Sequence, residues 1–208
     1  VVDPLYTIPL LLSLVITGFI IRTRRTRRIV NYLGLALSTL YLLFTVYNKA
    51  RVHNIFEHEL KAQNIEVTRM MTSPTIFNNI LWSCTAEAND AYYVGLYSFY
   101  DTVPVKFSKI EKQHTLIQNI DSDPTITTLR WFSDNYFCID YVDGNLLFND
   151  LRFGAYFDKE GINTDYIFSF LLEEDDGKYE LVETIIGPPK DQEEEYIDNF
   201  LARIWGIN

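Results

Sequence analysis

Two long uncharged runs at the start of this 208-residue chain constrain its fold more than any other feature. Pro4 to Ile21 covers 18 residues without a charge, and Ile29 to Asn48 covers 20. As helices they reach about 27–30 Å, the thickness of a bilayer's hydrocarbon core. Two adjacent runs of this length exceed what the core of a soluble domain this size needs. The opening VVDPLYT also lacks the basic region that precedes the apolar stretch of a signal peptide. The expectation is a transmembrane helical hairpin over residues 1–49, with spans at about 4–21 and 29–48 and a basic loop at 22–28.

The loop holds Arg22, Arg24, Arg25, Arg27 and Arg28. Clustered basic residues in a short loop stay on the cytoplasmic side during insertion, which places everything after Lys49 outside the inner (plasma) membrane. Charge follows the same division. Residues 1–49 carry six Lys/Arg against Asp3, a net +5, while residues 50–208 carry 12 against 27 acids, a net −15. An acidic domain with its basic residues pinned at a membrane is a poor nucleic-acid binder, so the partners expected of the arginines are anionic lipid head groups. Small residues at four-residue steps, Ser13 and Thr17 in the first run and Gly34 and Ser38 in the second, favour close packing of the two helices.

Beyond the second run, Val52, Ile55, Phe56 and Leu60 keep a helical spacing, which predicts a helical stalk over residues 50–64. Residues 65–208 read as an extracytoplasmic α+β domain. ILWSCTAEA and AYYVGLYSFY flank Asn89-Asp90, YFCIDYV and NLLFNDLRF flank Asp143-Gly144, and YIFSFLLEE and KYELVETII flank Asp175-Asp176-Gly177. These are three hairpin signals. Asp123 to Asp134, with Pro124 in its first turn, predicts a helix, as does Gln192–Ile207 with early acids and a late Arg203. The expected fold class is α+β: the hairpin, then an antiparallel sheet of three hairpins with helices on one side.

Chemistry is sparse. Of three histidines, His53 and His58 are five apart and off one helical face, His53 and Glu57 read as a polar helix pair, and His114 stands alone. No self-contained zinc motif, nucleophile elbow or glycine-rich phosphate loop is present. Cys84 and Cys138 lie in separate strands, where two buried thiols are favoured over a disulfide. Asp150 and Arg152, two apart on a strand, share a face and suit an ion pair. Together with Trp82 and Tyr97 from the aromatic strands they are the residues offered for a ligand groove, against plain packing.

Several motifs in order carry a resemblance: Asp3 to Thr7 (DPLYT), the Arg-rich turn, Leu37 to Lys49 (LSTLYLLFTVYNK), Thr72 to Trp82 (TSPT and NNILW), Tyr92 to Asp101, Leu129 to Ser133, Leu146 to Gly154 and Arg203 to Gly206. The chain resembles the C-terminal half of the membrane-bound metal-dependent hydrolases, the YdjM-like inner-membrane hydrolases of bacteria. That resemblance implies a divalent metal, Zn²⁺ or similar, bound mainly by a region upstream of Asp3 that a chain starting at Val1 lacks. It leaves Asp3 as the one shared motif residue for a metal role here, against the simpler role of a helix cap. The implied function is the C-terminal part of a metal-dependent hydrolase, supplying two spans and an outer domain and partnered by its own N-terminal half. The alternative is a non-catalytic, membrane-anchored module that binds a ligand or partner.

Overall fold

The computed structural model describes residues 3–142, 144–157, 162–175, 177–188 and 192–207. Helix α1 (Pro4–Val15) starts on Asp3, whose carboxylate accepts the Leu5 N–H, with Pro4 placed where a missing N–H is harmless. It runs on as a π-helical turn, Ile16–Ile20. After a short extended link, α2 runs unbroken for 39 residues, Arg24–Ala62.

Two expectations are corrected here. The basic loop of residues 22–28 shrinks to a tight connection, because Arg24 to Arg28 already form the first turn of α2. Arginine is a good helix former, and TRRTRR contains no residue that stops a helix. Among the described residues only α2 is long and apolar enough to cross a membrane, whereas the apolar helix Pro4–Ile20 falls below that length, so the structure offers one candidate span and not two.

The helices pack through small residues, as their spacing predicts. Ser13, Thr17, Gly34 and Ser38 are all buried. A Cβ on Gly34 would collide with the Ser13 side chain, so the helices meet where neither carries bulk. The Ser38 hydroxyl donates to the Tyr6 carbonyl at 2.9 Å, and Thr17 Oγ1 lies 3.1 Å from Asn31 Oδ1.

The domain is four layers deep. Strands β1 (Arg69–Pro74), β2 (Leu81–Glu87), β3 (Ala91–Ser98) and β4 (Phe107–Glu111) form one antiparallel meander. A 3₁₀ segment (His114–Ile120) and α3 (Pro124–Phe132) lead to a second: β5 (Phe137–Val142), β6 (Asn145–Phe157), β7 (Ile162–Asp175) and β8 (Lys178–Ile186). Helix α4 (Glu193–Ile204) follows. Strand alternation decides which side chain enters which layer. Trp82, Cys84 and Ala86 face Val52, Phe56 and Leu60 of α2. Tyr92 and Val94 face Cys138, Leu151 and Tyr166 between the sheets. Phe137, Ile139, Phe148 and Phe170 face Ile126 and Leu129 of α3.

The expected single sheet with helices on one side is therefore two sheets with helices on both outer faces. The three predicted hairpins exist, although Asp143 and Asp176 of their turns lie outside the described residues. What went unread is β1 and β4, whose polar sequences RMMTSP and FSKIE carry no alternation, and the pairing of β6 with β7. The helix does continue to Ala62 as the spacing predicts. Val52, Phe56 and Leu60 recur every four residues, so one face of α2 is the outer cover of the first sheet.

Candidate functional site

A cavity of about 350 Å³ lies where the helical hairpin meets the first sheet. Its walls are Asp3, Tyr6 and Thr7 from the start of α1, Tyr41, Leu42 and Thr45 from α2, and Pro74, Asn78 and Asn79 from the end of β1 and the turn after it. One Asp3 oxygen caps α1, and the other accepts a 2.5 Å hydrogen bond from the Tyr41 hydroxyl, which ties the two helices together at the cavity. Asn78 is fully used in shaping the turn. Its Oδ1 accepts the Ile80 and Leu81 N–H groups at 3.0 and 2.7 Å, and its Nδ2 donates to Thr75 Oγ1 and the Ile76 carbonyl.

That turn delivers Asn79 to the cavity. Asn79 is 8% exposed; its amide makes no hydrogen bond of good geometry and has the Tyr41 hydroxyl beside it as a weaker partner. A buried amide left in this state costs about 1–3 kcal/mol relative to a satisfied one. Such groups in a folded protein call for an explanation, and a ligand that donates and accepts is one.

The other residues expected to matter are elsewhere. Trp82 is buried under α2, its indole N–H donating to the Asn79 carbonyl at 3.3 Å. Tyr97 sits opposite it in the β2–β3 register and packs edge-on against Phe56 and Phe99. Asp150 and Arg152 lie in the second sheet as the expected ion pair, Arg152 Nη2 reaching Asp150 Oδ2 at 2.6 Å with the Asp150 side chain fully buried. The guanidinium also covers the Phe132 ring at 4.7 Å. Trp82 and Asp150 are thus spent inside the protein, and the four residues form no common groove.

Arg22, Arg24, Arg25, Arg27 and Arg28 are exposed at the far end of the hairpin. Arg27 Nε donates to the Thr17 carbonyl, and among the described residues none of the five pairs with an acid.

The histidines do not converge. His53 Nδ1 lies 3.3 Å from Thr72 Oγ1, Glu57 pairs with Lys61 at 2.6 Å, and His58 is exposed. His114 stacks on Phe137 and is hydrogen-bonded to its carbonyl; burial lowers its pKa despite that bond. Cys84 and Cys138 are free and buried, and burial pushes both thiols up to about 12, which makes them poor nucleophiles and metal ligands. Among the described residues no group of three His, Cys, Asp or Glu comes together to hold a metal ion. Asp3 alone does not fit a zinc centre, since both of its oxygens already accept hydrogen bonds and no second ligand type lines its cavity.

No family model, curated protein or solved structure matches the chain. Function therefore rests on the geometry and on the motifs themselves.

Tyr41 and Asn79 are the site residues that sequence reasoning passed over. Tyr41 lies in the middle of the second apolar run with no local motif to mark it, and it meets Asp3 because α1 starts level with it. The only trace of Asn79 was an Asn-Asn pair after a proline, ahead of an aromatic strand.

Proposed function

We propose that this chain is the membrane-anchored, substrate-presenting part of a membrane-bound metal-dependent hydrolase. Helix α2 crosses the bilayer with the shorter α1 packed beside it, the two-sheet domain stands outside, and the junction cavity holds the substrate. One observation carries this reading. Three of the segments that bear the resemblance, Asp3 to Thr7, Leu37 to Lys49 and Thr72 to Trp82, are far apart in sequence and line one cavity. Membrane placement is supported by the character of α2, since only 11% of its most apolar stretch is buried, unlike the core helix of a soluble domain. The exposed arginines at the N-terminus of α2 suit anionic head groups, since like charge at the positive end of a helix needs a counter-ion.

The part of this chain in such a reaction is binding. The Asn79 amide helps to orient a polar group, and the Asp3–Tyr41 pair fixes the adjoining wall. Metal ligands for such a reaction would come from beyond the described residues of this chain. The complete protein should hydrolyse its substrate in a metal-dependent way, and Asn79→Ala should raise KM with kcat little changed, as lost ground-state binding does. Full activity after exhaustive chelation would overturn the hydrolase reading. A second reading, a membrane-anchored binding module without chemistry, is favoured by the cavity lining, in which the described residues include no His, Cys or second carboxylate. Capture of ligand with no turnover by the complete protein would decide for it.

A further inference from the structure

The junction cavity is also specific about what it would hold. Among the described lining residues Asp3 is the one carboxylate and no Lys or Arg stands beside it, so an anionic head group would be repelled. Asn79 adds a buried amide whose hydrogen-bonding capacity is not fully used, beside the hydroxyls of Tyr6, Thr7 and Thr45, and such a wall suits a partner that both donates and accepts. The cavity volume, about 350 Å³, lies at the small end of ligand pockets, enough for a head group and too little for a whole lipid. The rest of the lining comes from the hairpin, and Tyr6 and Leu42 remain partly open on its outer surface.

An independent feature stands beside it. Ile76 and Phe77, in the turn that carries Asn78 and Asn79, are 59% and 63% exposed. Phe77 holds a left-handed backbone, φ 60°, which an aromatic side chain adopts only at a cost. A turn so built presents two large apolar side chains to the surroundings next to the cavity mouth, as a loop dipping into the membrane interface does.

We infer that the cavity binds the head of a membrane amphiphile whose head group is uncharged and bears hydroxyls or an amide, such as a monoacylglycerol. Its acyl chain runs out past Tyr6 and Leu42 into the bilayer, and Ile76 and Phe77 seat the turn in the same leaflet. This rests on the proposed placement of the hairpin in the membrane, and it names the substrate class of that site.

The test uses the full chain in phosphatidylcholine vesicles, with 1-monooleoylglycerol and oleate as probes that share a tail. Flotation with the vesicles checks the membrane placement, and intact-complex mass spectrometry counts bound probe. The expected result is one monooleoylglycerol per chain, with oleate held at least about tenfold more weakly. Asn79→Leu should weaken monooleoylglycerol about tenfold by removing the amide, and Thr45→Phe should do the same by filling the cavity from the opposite wall. Asp3→Asn, which keeps a helix cap, should narrow the gap between oleate and monooleoylglycerol. Equal retention of both probes, or retention unchanged in both Asn79→Leu and Thr45→Phe, overturns the inference while leaving membrane placement intact. Failure to float overturns the placement and the inference together.

Discussion

The two halves of α2 are one continuous helix built on opposite rules. From Arg24 to Asn48 the buried positions are Gly34, Ser38 and Asn48, while Leu33, Leu40, Leu43 and Phe44 point outward. From Lys49 to Ala62 the buried positions are Val52, Phe56 and Leu60, and the outward ones include Arg51, Glu57, His58 and Lys61. The second half obeys the water-solvent rule, in which apolar side chains leave the surface. The first half inverts it, burying the small residues Gly34 and Ser38 against α1 and the polar Asn48 beyond the start of α1. In water that arrangement exposes a large apolar surface; in lipid it is the expected one, because lipid gives apolar side chains no reason to hide and close packing favours small residues. A single helix therefore carries two opposite patterns of burial, as the proposed membrane placement requires. The cavity touches its first half, at Tyr41 to Thr45.

The comparison breaks most readily at Phe56. Phe56→Ala should destabilise the domain by about 3–5 kcal/mol in denaturant titration in detergent, whereas Leu43→Ala in the other half should change it by less than about 0.5 kcal/mol. Comparable losses at the two positions would mean that both halves are packed alike. Inside the domain, Arg152→Ala should cost about 3–5 kcal/mol because it strands the fully buried Asp150. Asp150→Asn in the Arg152→Ala background should recover part of that loss, and a recovery of nothing would show that packing of the guanidinium on Phe132, not charge, was the larger effect.

Gly34→Val tests the inverted half directly. It puts a branched side chain against Ser13 and the Pro9 carbonyl, and should cost about 1–3 kcal/mol. Cross-linking between cysteines introduced at Tyr6 and Ser38 should fall with it, and undiminished cross-linking would show that the helices do not approach through Gly34.

The smallest effect concerns pH, and it belongs to the domain alone. His114 is half-buried, and that burial holds its pKa below the ordinary value of 6.5, so the fold favours its neutral form. Its contribution is complete above about pH 6.5 and is lost as the pH falls from there through the depressed value, because the unfolded chain then takes up the proton first. Glu87 works the same way in a lower window. Burial would raise its pKa, but hydrogen bonds from Lys112 and Arg69 outweigh burial and hold it below 4.5, so its share persists until the pH falls below that value. His114→Phe should remove the loss of stability between about pH 7 and 5 that the parent shows. An unchanged slope there would assign it to another group.

Much of this was legible in the chain. The caps at Asp3 and Asp123, each followed by proline, start α1 and α3, because cap chemistry is local. The pairs Ser13–Thr17 and Gly34–Ser38 announced the helix contact, and the Asn89-Asp90, Gly144 and Gly177 turns announced their hairpins. The Asp150–Arg152 pair follows from strand alternation alone. The polar edge strands β1 and β4 were not legible, since an edge strand is held by its neighbour's backbone and needs no pattern of its own. The length of α1 was misread for a related reason: a run without charges does not mark where the chain leaves the helix, and Ile21 to Thr23 turn extended with no breaker residue among them.

By itself, then, the sequence determined the elements whose causes lie within a few residues: helix starts, hairpin turns, the small-residue seam and the alternation of each strand. Only the tertiary structure decided that the strands divide into two sheets, that the end of α2 becomes the lid of the first sheet, and that Asp3, Tyr41 and Asn79 meet. Those outcomes depend on which apolar faces find each other across 38 residues or more of chain. That choice is made by burial and shape, which no local pattern records.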